Sequence, residues 1–273
     1  MSAAELSELA SDRAVEVTNR GGKSPFLVIC DHASNHVPEP FGTLGLEAAD
    51  LQRHIAWDPG ALPVAKRLAE VLDATLVASC ISRLVIDCNR PLDAPDLISA
   101  LSEATAVPGN ENLSDLDRRK RIALSWEPFH AAIEDVIEER LAAGRGTWLL
   151  SVHSFTPVYH GKDRPWHVGI IHDDDTSLAA PLIEALLADK ELVVGKNEPY
   201  SPADRVYFTL EQHGRSRNLP CAMIEIRNDE IEDGSSQRQW GDRLAAILKT
   251  VPLAERAAGG ASVMRAHARG GRQ

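Results

Sequence analysis

The sequence predicts an α/β fold, a three-layer sandwich in which a mixed, mainly parallel sheet carries helices on both faces. Three observations carry the prediction. Short apolar runs, nearly continuous and rich in β-branched residues, recur along the 273 residues, and such runs suit central strands covered on both faces. Segments with helical spacing alternate with them, and that alternation is the mark of α/β architecture. No internal repeat and no long linker interrupts the series, so 1–254 is expected to form a single α/β domain.

The expected strands are Phe26–Cys30, Thr75–Ser79, Leu84–Ile86, Trp148–Val152, Val168–Ile171 and Cys221–Ile226, with Leu192–Val194 as a weaker run. The first expected helix, Ala61–Leu72, places Leu62, Ala65, Leu68, Ala69 and Leu72 on one face. The next opens at Ser114, whose hydroxyl suits an N-cap, with Asp115 and Asp117 at the positive end. It runs through Trp126, resumes after Pro128 and stops at Gly144. Thr176 opens another helix, and Ser236–Leu248 is the last, with Trp240, Leu244, Ile247 and Leu248 as its apolar stripe. The tail 255–273, rich in Ala, Gly and Arg, is expected to be mobile.

Composition narrows the function classes. A formal charge of −11 argues against nucleic acid, whose binding needs clustered Lys and Arg. A local Arg still suffices for an anionic small molecule, because nearby charges set the field in a cleft. No apolar run reaches the roughly 18 residues of a membrane span, and the first residues lack the basic and apolar regions of a signal peptide. Cys30, Cys80, Cys88 and Cys221 include no CxxC pair and read as buried free thiols. A cytoplasmic protein without nucleic-acid or membrane partner is expected. The serine-hydrolase GxSxG, the GxxxxGK[ST] phosphate loop and the GxGxxG dinucleotide loop are all missing, and Asp173–Asp174–Asp175 reads as a turn.

Ligands of open α/β sheets bind beyond the carboxyl ends of the strands. Four apolar runs here end in polar groups: Asp31-His32-Ala33-Ser34-Asn35-His36, Asp87-Cys88-Asn89-Arg90, His153-Ser154, and Glu225 with Arg227. Four such endings point to one site. His32 and His153 are the leading metal ligands, since imidazole and carboxylate are the usual donors of catalytic zinc. Asp58 is the candidate third ligand, with Asp31 and His36 as competitors; an Asp before a helix is also an ordinary N-cap. A Glu within an apolar strand is costly unless paired. Glu225 therefore pairs with Arg227, faces water at an edge, or serves as a general base. Arg83 and Asn89–Arg90 offer the planar fork and amide donors that grip a carboxylate, or pair with Asp87 and Asp93. His213 and Arg227 are expected to line the substrate pocket.

The blocks Asp31-His32-Ala33-Ser34-Asn35, Ala56-Trp57-Asp58-Pro59-Gly60-Ala61, Ser82-Arg83-Leu84-Val85-Ile86-Asp87-Cys88-Asn89-Arg90-Pro91, Val152-His153-Ser154-Phe155 and Ile224-Glu225-Ile226-Arg227 together resemble the N-formylglutamate amidohydrolase family. The Arg-x-x-x-Asp-x-Asn-Arg-Pro block is the most specific of these. The resemblance implies a zinc exopeptidase-like fold and one Zn2+, or another divalent metal, on His32, His153 and a carboxylate, taken as Asp58. It implies Glu225 as general base, Arg83 polarising the scissile carbonyl, and Asn89 and Arg90 holding the substrate carboxylate. The implied reaction converts an N-formyl or short N-acyl amino acid, foremost N-formyl-L-glutamate, to formate and glutamate, as in amino-acid metabolism and histidine degradation. Exopeptidases of this fold commonly carry Glu three residues after the first His, where Asn35 stands here. A metallo-exopeptidase, a peptidoglycan amidase and a non-catalytic carboxylate-binding protein are the alternatives.

Overall fold

The structure of the protein is a computed structural model that describes residues 13–251; the expected tail lies outside the described residues. Seven strands form one sheet: β1 (Val15–Thr18), β2 (Phe26–Cys30), β3 (Thr75–Ser79), β4 (Trp148–Phe155), β5 (Val168–Ile171), β6 (Val194–Lys196) and β7 (Cys221–Arg227). Their order is β1-β3-β2-β4-β7-β5-β6. The central four, β3, β2, β4 and β7, are mutually parallel; β1 runs antiparallel to β3, and β5 antiparallel to β7. The expected mixed, mainly parallel sheet is therefore the one observed.

Each sheet face has its own core. One packs Val28, Leu76, Leu150, Val152, Ile224 and Ile226 against helices α1 (Ala61–Leu72), α4 (Ala179–Ala188) and α6 (Gly234–Thr250). The other packs Leu27, Ile29, Leu149 and Met223 against α3 (Glu127–Ala142) and α5 (Phe208–His213). Side chains alternate across a strand, so continuing the second face toward the carboxyl edge gives Asp31, Ser151, His153 and Glu225. The polar residues are thus the ends of a row whose inner members are core.

The expected helices are found: α1 has the expected bounds, α4 starts at Ala179 rather than Thr176, and α6 runs two residues beyond the expected Ser236–Leu248 at each end. Residues Ala61, Val64, Ala65, Leu68 and Ala69 are the buried face of α1, so Leu62 and Leu72 fall at its margin rather than its centre. Ser114 caps α2 (Asp115–Arg121) by accepting from the Asp117 amide. A π-type turn at Ile122–Trp126 joins α2 to α3, so the chain stays helical up to Pro128 at the start of α3. The run Leu192–Val194 overlaps β6 only at its last residue, and the edge strand β1 adds a member that its length of four residues hides in the sequence.

One expected strand is absent: Leu84–Ile86 lies in a buried irregular segment. The Leu84 and Val85 carbonyls are satisfied by side chains rather than by a neighbouring strand. Asn110 Nδ2 donates to Leu84 O at 2.8 Å, and Arg121 Nη1 donates to Val85 O at 3.1 Å. Ile81, Leu84, Val85 and Ile86 belong instead to a third apolar cluster with Leu97 and Val107, which roofs the carboxyl edge of the sheet. An apolar run reports burial, and here burial comes without a ladder.

Candidate active site

Asp31 and His32 leave the end of β2, and the His32 carbonyl accepts from the Asp58 amide at 2.9 Å, tying the 56–60 segment to the strand end. Gly60 adopts φ +80°, and a Cβ there would stand 2.5 Å from the Ile231 carbonyl oxygen, so only Gly permits the turn from Asp58 into α1. The N-cap of α1 is Gly60, with no side-chain cap. Asp58 is therefore free of the capping role and turns inward, 4 % exposed.

Around Asp58 the two histidines converge. Asp58 Oδ2 lies 2.8 Å from His153 Nδ1 and 3.4 Å from His32 Nδ1. The opposite nitrogens are held from behind: His32 Nε2 is 2.7 Å from Asp87 Oδ1, and His153 Nε2 is 2.8 Å from Ser151 Oγ and 3.1 Å from Asp31 Oδ2. Asp31 is itself fixed by Ser151 Oγ, which donates at 2.7 Å, and by the Thr209 hydroxyl. Imidazoles whose far nitrogens are anchored by carboxylates are oriented as metal ligands. One ligand atom each from His32, Asp58 and His153 lies within 4.8 Å of the others, and two imidazoles plus one carboxylate form a donor set that fits zinc. Asp31 stands behind His153, on the Nε2 side of its ring, and neither Asp31 nor His36 belongs to this group of converging ligand atoms. Ser151 and Thr209 were not expected from the sequence; each looks like an ordinary small polar residue until the fold places it against Asp31.

The cluster is strongly biased electrostatically. Burial alone would raise Asp58 and Asp87, but neighbouring cations outweigh it: His32 and His153 hold Asp58 low, and Arg83 and His32 hold Asp87 low. Burial is likewise overcome at Asp31, which His153 brings down to about 2. In return, the carboxylates raise His153 well above its ordinary value and raise His32, against the burial that favours neutral rings. Arg83 closes the arrangement by donating through Nη2 to Asp87 Oδ2 at 2.7 Å and approaching Asp58 Oδ1 at 3.4 Å through Nη1.

Glu225 stands beside His153 in register across the parallel β4–β7 pair. It is buried and its Oε2 has no hydrogen-bond partner. Burial, reinforced by Asp58 and opposed by His153, pushes its carboxyl up to about 7. The suggested pair with Arg227 does not form. The Arg227 guanidinium reaches forward to Asp229 at 2.7 Å and Glu230 at 3.2 Å, on the short helical turn after β7, and does not line the cavity.

These groups open into a cavity of about 330 Å³, lined by His32, Asp58, Arg83, Asp87, His153 and Glu225 in its depth. Asn89 and Arg90 share its wall, with His54 and Glu103 among the other lining residues. Asn89 spends both ends of its amide on the 206–209 segment, donating to Val206 O and accepting from the Thr209 amide at 3.0 Å. It braces the wall. Arg90 donates to Asp96 at 2.7 Å through Nε and to the Asn89 carbonyl at 2.9 Å through Nη1. His213 is not in the cavity. It is buried in the helical layer, stacked on His130, with Nε2 2.8 Å from His130 Nδ1. An exposed-looking His-Gly-Arg stretch misled here because α5 turns its last residue inward.

An α/β sheet whose carboxyl edge gathers two histidines, a shared carboxylate and a buried carboxyl of raised pKa is the plan of a hydrolase. Comparison with known proteins agrees. The family model of N-formylglutamate amidohydrolase matches residues 24–232. An N-formylglutamate deformylase of Pseudomonas aeruginosa is 26 % identical over 234 residues, 77 % of this chain and 84 % of that protein. The crystal structure of the Agrobacterium tumefaciens gene product Atu2144 superposes with a TM-score of 0.86 at 42 % identity, covering 89 % of this chain and 96 % of the other. An N-formylglutamate amidohydrolase from Ralstonia eutropha shares the fold, with a TM-score of 0.70 at 19 % identity, over 87 % of this chain and 98 % of its own. The chain belongs to the N-formylglutamate amidohydrolase family, and it is a hydrolase acting on an amide.

Proposed function

We propose that the protein hydrolyses the amide of a short N-acyl amino acid, foremost N-formyl-L-glutamate, releasing formate and glutamate, with a divalent metal held by His32, Asp58 and His153. The observation that carries the reading is Glu225: a buried carboxyl with an orphaned oxygen, poised near neutrality, one strand from a His–Asp–His donor set. A zinc ion on that set would supply Lewis acidity toward water and the acyl oxygen. The residues supply the rest. Glu225 takes a proton from the attacking water as the C–O bond forms, then delivers it to the amine nitrogen as the C–N bond breaks. A carboxyl near pH 7 suits both transfers. Arg83, fixed by Asp87 and Asp58, places positive charge where the carbonyl oxygen gathers negative charge. Asp87 and Asp31 hold the two imidazoles in one orientation. Arg90, with Nη2 left over from its bonds to Asp96 and Asn89, takes the substrate carboxylate, and Asn89 keeps that wall in place. The cavity is of the size that encloses a small molecule.

The test pairs metal analysis of the purified protein with formate release from N-formyl-L-glutamate, with and without a chelator. About one metal per chain and chelator-sensitive formate release are expected. Stoichiometric metal without formate would move the substrate to another acyl group, and absence of both after zinc is restored would overturn the reading.

A further inference from the structure

Arg164 is 9 % exposed and forms no ion pair with a carboxylate among the described residues. A buried cation without a counter-ion is costly, so its surroundings call for a reason. Three aromatic faces hold it: its guanidinium carbon lies 4.4 Å from the Tyr159 ring centre, 4.7 Å from that of Tyr200 and 5.9 Å from that of Phe155. Its backbone is pinned as well, with the amide donating to Pro157 O at 2.8 Å and the carbonyl accepting from Arg227 Nη1 at 3.4 Å. This is where Arg227 acts, as a brace outside the cavity.

The guanidinium makes one side-chain hydrogen bond: Nη1 donates to Tyr200 Oη at 2.9 Å. Tyr200 lines the cavity. Because its oxygen already accepts from Arg164, its own hydrogen points elsewhere, and no described group accepts it. A phenol with a cation on its oxygen is a strengthened donor toward negative charge. Burial pushes the Tyr200 hydroxyl up to about 12, with Glu225 adding to the rise and Arg164 and Arg83 opposing it. The group keeps its proton at neutral pH, and it senses the two residues assigned above to the reacting amide.

We propose that Tyr200 is a further catalytic residue, donating a hydrogen bond to the acyl oxygen as negative charge develops there, and that Arg164 is the residue that positions it. The inference rests on the amidohydrolase reading above. No bond is made or broken by Tyr200; its hydrogen stays on the phenol.

The test is a kinetic cycle with N-formyl-L-glutamate on the metal-loaded protein, using Tyr200→Phe, Arg164→Met, Arg164→Lys and the double variant Tyr200→Phe/Arg164→Met. Loss of one donor to a developing oxyanion lowers kcat about 10²- to 10³-fold, with KM held within about threefold. Arg164→Met is expected to lower kcat by up to about 10²-fold, as a misplaced group does. Arg164→Lys, which restores a cationic donor, should recover most of that loss. The double variant should be no slower than Tyr200→Phe alone, since both act through one hydroxyl. A purely structural Arg164 would instead give additive losses and a fall in Tm without rescue by Lys, which overturns its positioning role. A raised KM with unchanged kcat in Tyr200→Phe would put the hydroxyl on the substrate carboxylate and overturn the proposal. If Arg164→Met does not fold, Tyr200→Phe and Arg164→Lys still decide. Formate release by the wild type with full kcat in Tyr200→Phe sinks this inference alone, whereas a wild type that releases no formate sinks the amidohydrolase reading and this inference with it.

Discussion

Glu225→Gln is the most informative single change, because it tests the site by stability as well as by rate. In the metal-free protein the Glu225 carboxyl is raised from an ordinary 4.5 to about 7. At about 1.4 kcal/mol per pH unit, that is a folding penalty of roughly 3 kcal/mol once the pH exceeds both values. The sign follows from proton binding. Below the unfolded value both states hold the proton and the penalty vanishes. It grows as pH rises from 4.5, because the unfolded chain ionises first, and it is complete above about 7. Gln removes the ionisation and keeps the shape. The cost or gain of the buried amide itself does not vary with pH, so it cancels when one pH is compared with another. Urea unfolding of chelator-treated wild type and variant should therefore show Glu225→Gln gaining roughly 2 to 3 kcal/mol more at pH 8 than at pH 5. In the metal-loaded enzyme the same variant should keep its metal and lose on the order of 10²- to 10⁴-fold in kcat. A stability difference that is equal at both pH values would refute the buried, proton-holding carboxyl. A variant within tenfold of wild-type kcat would refute the base.

Three further expectations concern the groups around it. Asp87 holds both His32 and Arg83, so Asp87→Asn should weaken metal binding about 10- to 100-fold in a protein that still folds; competition with a chromophoric chelator reads this, and unchanged affinity would remove Asp87 from the site. The raised values of His153 and His32 mean that protons compete with the metal, and the stability those protonated rings lend the metal-free protein, present below pH 6.5, is lost as pH rises through the folded values. Metal affinity should accordingly climb between pH 6 and pH 9 with measurable proton release, and a flat profile would contradict the paired rings. Arg90→Met should raise KM at least about tenfold, whereas Arg227→Met, whose guanidinium pairs outside the cavity, should leave KM within about twofold; the reverse order in steady-state kinetics would exchange their roles.

Which parts of the site were readable depends on how each residue is held. His32, His153 and Glu225 were legible because they break apolar runs, and strand geometry then carries them to one edge in fixed register. Asp58 was legible only as one of three candidates. Its sequence context is equally that of a helix cap, and the choice was made by Gly60 capping α1 and the chain turning Asp58 inward. Arg227 and His213 had the right chemistry but the wrong direction. A long side chain at a strand end is free to reach an acidic turn, and the last residue of a short helix is buried or exposed according to what packs beneath it.

Periodicity and composition by themselves determined the α/β class, the position of most strands and helices, and the edge of the sheet where polar groups collect. Those are local properties: an apolar run must be buried, and a polar group at its end must find a partner. The tertiary structure alone decided which carboxylate joins the histidines, that Ser151 and Thr209 fix Asp31, that Leu84–Ile86 is roof rather than strand, and that Arg164 is caged behind Tyr200. Each of these depends on contacts between segments far apart in the chain, where direction and distance are set by packing. No spacing along the sequence encodes them.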